Sequence, residues 1–186
     1  MASGLDLFWD DDRLLYAAIL VATADEITLS GYSNTVIGLL VMIPSLVSLP
    51  AMILVSRSSD HWLERRYHIA VPAIVGAASL VLLGTTRSPV YSTALLCLLA
   101  AGVCSFLGPF WALPNEFLTG FSAAAGIALI NSVGNLGGLV GPYMIGAIAT
   151  RTGSLYAGLA FAGTPLFLSA TLALLLASKG RVPATG

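Results

Sequence analysis

With 186 residues the chain is long enough for one domain, but at 57% hydrophobic and 9% charged it departs from soluble domains, which run about 45–50% and about 25%. A formal net charge of −1 leaves no basic face to neutralise phosphates, which excludes nucleic acid as a partner. Strand-type alternation is absent, so a β-barrel is disfavoured. The expected fold class is an all-α polytopic membrane protein.

The first 30 residues form a divergent N-terminal segment. Asp6, Asp10, Asp11 and Asp12 crowd the place where a signal peptide needs a basic n-region, so none is expected. Leu14–Ala24 is apolar for 11 residues, short of the ~17 a crossing helix needs. Extending it to Leu29 takes in Asp25 and Glu26, and a carboxylate at mid-bilayer costs about 2.5–3.5 kcal/mol. A half-span, an interfacial helix and a damaged sixth span all fit this short or incomplete element.

Five clear spans follow, forming a helix bundle over 31–178: Val36–Val55, Ile69–Thr86, Val90–Leu113, Ala123–Ala149 and Leu155–Ala177. None contains Asp, Glu, Lys or Arg. The first covers 20 residues, enough to cross the bilayer as a helix. Between the first two, residues 56–68 concentrate Arg57, Asp60, Glu64, Arg65 and Arg66. If this loop is cytosolic, so are Pro114–Ser122 and the tail 179–186. That side then carries five cations (Arg57, Arg65, Arg66, Lys179, Arg181) against two (Arg87, Arg151), as the positive-inside rule requires. His61 and His68 lie in the loop without a ligand set at metal spacing and are expected to be solvated.

Pro44, Pro50, Pro72, Pro109, Pro142 and Pro165 interrupt the spans. A polytopic bundle tolerates them because neighbouring helices and Ser or Thr side chains satisfy the freed carbonyls. Cys97 and Cys104, seven apart in one span, are two turns apart and cannot bridge within it; they read as small apolar residues.

The fourth span holds the least usual chemistry. Gly134 with Gly138, and Gly137 with Gly141, form small-xxx-small pairs that let another helix approach closely. Asn131 and Asn135 lie one turn apart on one face. Two readings stand: interhelical glue worth about 0.6–2 kcal/mol per bond, or contact with a polar solute, since an amide both donates and accepts. Trp111 ends the third span after Gly108, Pro109 and Phe110. It is either an interfacial tryptophan or, with Ser105, Gly108 and Phe110, one wall of a central site. Metalloprotease, nucleophile-elbow and P-loop signatures are missing, and no span holds an ionisable pair for acid/base work, so no enzyme and no cofactor is expected.

The runs Gly31–Leu40, Ser56–Asp60, Glu64–His68 and Val71-Pro72, joined by Gly108–Leu118 and Gly126–Pro142, resemble the second half of the major facilitator superfamily. Within it they are similar to the anion:cation symporter branch of tartrate, phthalate and sugar-acid permeases. The resemblance covers Gly31 onward; its last two motifs are specific to the branch, and the charged loop is shared more widely. It implies half of a major facilitator fold, with the five spans as helices eight to twelve and Leu14–Leu29 in the place of helix seven. It also implies a bacterial inner-membrane location and proton-coupled uptake of a small organic anion, a carboxylate or sugar acid. On this resemblance Trp111 and Asn131 match positions that line the substrate cavity, with Asn135 one turn further on the same face; Ser105 joins these candidates only through the wall it would form with Trp111, and Arg57, Asp60, Glu64, Arg65 and Arg66 form a cytosolic gating loop.

Two departures bear on that reading. Ser56 stands where the loop motif usually has Gly, and His61 where it often has Arg. The branch's substrate-gripping arginine and proton-coupling acids belong to the first half, and no span here supplies a cation for an anionic substrate. Two functions are therefore carried forward: an anion transporter acting with a separate N-terminal half, and a truncated membrane remnant or structural subunit that transports nothing by itself.

Overall fold

The computed structural model describes residues 31, 33–86 and 88–176; the short apolar segment at 14–29 and the tail 179–186 lie outside them. These residues form five helices: α1 (Asn34–Trp62), α2 (Arg66–Leu83), α3 (Pro89–Phe117), α4 (Phe121–Thr152) and α5 (Leu155–Leu176). Each is long and apolar enough to cross a membrane, and no strand occurs among the described residues. Half of a major facilitator fold, expected from the sequence, is what the helices build.

The expected polar loop at 56–68 is shorter than the charge pattern suggests. Helix α1 continues through Ser56–Trp62 and α2 begins at Arg66, leaving a turn of Leu63, Glu64 and Arg65. Ser, Arg, Asp and His weaken a helix only slightly, so polarity alone does not stop one. The stop is conformational: Leu63 adopts φ 50°, ψ 37° and sends its backbone N–H to Ser59 O. This left-handed cap usually falls to glycine, because Cβ costs about 1–2 kcal/mol there.

The extensive contacts run from α1 to α3, α3 to α2, α2 to α5, and α5 to α4. Leu80 and Leu83 of α2, Leu96 and Leu99 of α3, and Leu159 of α5 form the main buried cluster. Ala70, Ala73 and Ala170 form a second, with Phe106 packed on it. Backbones meet at glycines. A Cβ on Gly102 would fall 2.6 Å from Pro72 O, and one on Gly158 would fall 2.6 Å from Ile145 O. Small residues at such crossings replace the hydrophobic drive that lipid cannot supply.

Much of the apolar surface faces outward instead. Leu46, Leu54, Leu129, Leu136 and Leu168 are each more than half exposed, a surface that suits hydrocarbon or another apolar helix and not water. The helices run through their prolines, and the expected side-chain compensation is visible at Pro165: Thr164 Oγ1 donates to Phe161 O at 2.7 Å, the carbonyl four residues before that proline.

Candidate functional site

The charged turn is a compact network. Arg65 Nη1 donates to Asp60 Oδ1 and to Ser59 Oγ at 3.2 Å. Ser59, fully buried, donates through Oγ to Glu64 O at 3.1 Å. Glu64 then caps α2: its Oε2 accepts from Tyr67 N at 3.0 Å, placing a carboxylate where the helix amides are unpaired. Its Oε1 accepts from Arg66 Nε at 3.2 Å, and the Arg66 guanidinium lies 5.5 Å from the Tyr67 ring centroid. Asp60, Glu64, Arg65 and Arg66 are thus brought together.

His68 is not the solvated loop residue expected. It sits in the first turn of α2 with Nε2 2.9 Å from Ser58 Oγ and Nδ1 3.5 Å from Glu64 Oε2, tying the end of α1 to the start of α2. His61 is exposed, edge-on to Trp62. The sequence reading missed Ser58 and Ser59. Their signal was weak: serines in a charged segment read as solvated, and only the helical continuation of α1 turns them inward.

Ser105 and Trp111 share α3. Ser105 is buried and Trp111 half-buried, the latter at the end of an aromatic series in which Phe106 meets Phe110 and Phe110 meets Trp111, each edge to face. Gly108 lies against Ser56 of α1, and a Cβ there would collide with Ser56 Oγ. The serine that replaces the loop motif's usual glycine is therefore accommodated by a glycine across the helix pair.

Asn131 and Asn135 are on α4, whose contact with α3 is slight. Asn131 is half-buried and Asn135 exposed; neither amide bonds another described residue. Nothing lies within 4 Å of a Cβ built on Gly134, Gly137, Gly141 or Gly146. The close helix approach expected at the small-xxx-small pairs is therefore absent at Gly134, Gly137 and Gly141 among the described residues. Ser132 is self-satisfied, its Oγ bonded to Ala128 O at 2.8 Å. Among the described residues α4 is held mainly at its C-terminal part, where Ile145 meets Gly158 of α5, with Leu118 lying against Gly126 near its start.

The chain is 41% identical over 149 residues to a quinolone resistance transporter of Acinetobacter baumannii. It is 40% identical over 147 residues to a protein named as a tartrate transporter in Agrobacterium vitis. It is 41% identical over 155 residues to the metabolite transport protein NicT of Pseudomonas putida. These alignments cover 79–81% of this chain but 33–35% of the relatives, so the chain spans about a third of the length of the curated proteins it matches. No family model matches it, and no solved structure matches it. The names are those of transporters, not enzymes. With a strand-free bundle of membrane-length helices and about 40% identity to these proteins over four-fifths of its length, the chain belongs to the major facilitator superfamily and corresponds to the C-terminal part of its transporters.

Proposed function

We propose that the chain carries part of the substrate pathway of a proton-coupled transporter for a small organic anion, a carboxylate or sugar acid. The observation that carries this reading is the pair of amides on α4, Asn131 and Asn135, which bond no described residue of the bundle. A polar side chain at membrane depth that is not holding a neighbouring helix faces a polar cavity or a solute. An amide offers a carboxylate N–H donors, and a hydroxyl both donor and acceptor. Trp111 and Ser105 of α3 contribute an aromatic and a hydroxyl from the adjoining helix. The tartrate transporter name of one relative supports an anionic substrate class.

An anion crossing the bilayer needs a buried cation, and the five spans hold none. The cation and the proton-coupling acid belong to a complementary N-terminal portion, in the same polypeptide or a second one. The turn at 63–65 faces the cytosol of a bacterial inner membrane. Its pairs, Asp60–Arg65 and Glu64–Arg66, gate that side, with Arg57 at their flank.

The test is uptake of labelled tartrate-like or sugar-acid anions into proteoliposomes under an imposed proton gradient. The chain together with the complementary portion shows saturable, gradient-dependent uptake, and the chain alone shows none. Uptake indifferent to the proton gradient removes the coupling claim. Saturable uptake by the chain alone removes the need for a second portion.

A further inference from the structure

The direct contact between α1 and α2 is slight, since α1 packs on α3, and α2 on α3 and α5. What ties their adjoining ends is polar, and His68 stands at its centre. Nε2 lies 2.9 Å from Ser58 Oγ on α1. Nδ1 is buried and has no hydrogen-bond partner among the described residues; the atom it faces is Glu64 Oε2, 3.5 Å away. A buried polar atom is costly to leave unsatisfied, and here a carboxylate stands just beyond bonding distance.

Electrostatics decides where the protons of this ring go. A proton on Nε2 alone would turn the Nδ1 lone pair toward the Glu64 carboxylate, setting two electron-rich groups face to face. A proton on Nδ1 alone suits both ends, because Nδ1–H points at the carboxylate and Nε2 accepts from the Ser58 hydroxyl. A second proton suits them better still, since an imidazolium makes an ion pair with Glu64 and Ser58 Oγ can accept from Nε2–H. The neighbouring charges leave room for this. Arg66 takes the other oxygen of Glu64, Oε1, and leaves Oε2 to Tyr67 N and His68, while Arg65 is turned to Asp60. On α1, Arg57 and His61 are exposed. Helix α5 carries no charged residue over Leu155–Leu176, and the charged residue of α3 is Glu116 in its last turn.

We propose that Ser58, His68 and Glu64 form a proton-operated clasp between α1 and α2, in which protonation of the imidazole draws the Glu64 carboxylate onto Nδ1 and tightens the turn. Oε2 accepts from Tyr67 N and from Nδ1 together through its two lone pairs, and the Ser58 hydroxyl proton turns to Leu54 O, four residues back on α1. Imidazole is the side chain whose charge ordinarily changes between pH 5 and 8, so the clasp answers to the pH of the compartment that the turn faces. The folded chain holds the proton better than the unfolded one. His68 therefore adds stability as pH falls from 8 to 6, a window above the ordinary carboxylate range, and that contribution fades as pH rises again. The clasp uses only residues at the turn and stands whether or not the chain moves an anion.

The test is thermal unfolding of the detergent-purified chain, free of any purification tag, at pH 8 and at pH 6. The wild-type midpoint rises by about 2–4 °C on acidification. His68→Gln loses the rise, and His61→Gln, at the exposed histidine nearby, keeps it. No rise in the wild type, a rise retained in His68→Gln, or a rise lost in His61→Gln overturns the clasp. A second measurement needs no change at His68. The chain has 2 histidines, so His61→Gln leaves a single imidazole, and its ring nitrogen-15 spectrum shows Nδ1 protonated at pH 8 and both nitrogens protonated on acidification. A proton on Nε2 alone at pH 8 overturns the proposal, whether or not the His68 variant folds.

Discussion

Gly102 in α3 and Gly134 in α4 are both mid-helix glycines of apolar spans, and the sequence offers little to tell them apart. In the fold they have opposite surroundings. A Cβ on Gly102 would strike Pro72 O, Gly76 N and Gly76 Cα within 3.1 Å, whereas one on Gly134 would have nothing within 4 Å. The first glycine is used up holding α2 and α3 together. The second belongs to a stretch of α4 that the bundle leaves open, beside two amides with no described partner. Lipid tails are as apolar as leucine, so a membrane bundle coheres through close backbone contact, not through burial of greasy side chains. Where that contact is missing, small and polar residues are available for something else. This contrast separates the structural half of the bundle from its candidate functional face.

The largest expected effect is at the closed crossing. Gly102→Val removes the folded, monodisperse species from size-exclusion chromatography in detergent, because backbone atoms cannot yield as a flexible side chain can. Gly102→Ala lowers unfolding stability by about 1–3 kcal/mol, read from denaturant titration of the detergent-solubilised chain. Its counterpart, Gly134→Ala, leaves stability unchanged or raises it by up to about 1 kcal/mol through helix propensity. A loss matching that of Gly102→Ala would erase the distinction between the two helices.

A sharper version concerns the amides. Asn131→Ala leaves the unfolding midpoint of the chain alone unmoved, since no described hydrogen bond is lost, yet raises the apparent KM by tenfold or more in the complete transporter, or abolishes uptake. If stability and uptake fall together, Asn131 is interhelical glue. The smaller effects lie at the turn. Leu63→Gly stabilises the chain by about 1 kcal/mol by relieving the left-handed cap. Arg65→Gln costs about 1 kcal/mol or less, because Asp60 is two-thirds exposed and water screens the pair. Both are measurable as shifts of thermal midpoint, and opposite signs are expected.

Much of this was legible beforehand for a simple reason. Hydrocarbon length is fixed and charges are expelled from it, so five charge-free stretches announced five helices. The helices exceed the expected spans at most of their ends: α1 runs to Trp62 and α3 to Phe117, because hydropathy marks the lipid boundary and not the end of hydrogen bonding. The ion pairs at the turn were foreseeable from Asp60, Glu64, Arg65 and Arg66 crowding one short segment. The roles of His68 and Ser59 were not, since both depend on α1 continuing past the charged residues and on Leu63 reversing the chain where it does.

The amino-acid order alone determined that this protein is solvated by lipid, that it is helical throughout its spans, and that its cations gather beside the first clear span. Tertiary structure decided which of several similar glycines are filled, which face of α1 is exposed, and that the α4 amides bond none of the other described residues. The division has a physical cause. Partition between water and hydrocarbon is set residue by residue along the chain, but contact between helices depends on which backbones meet, and periodicity does not name the partner.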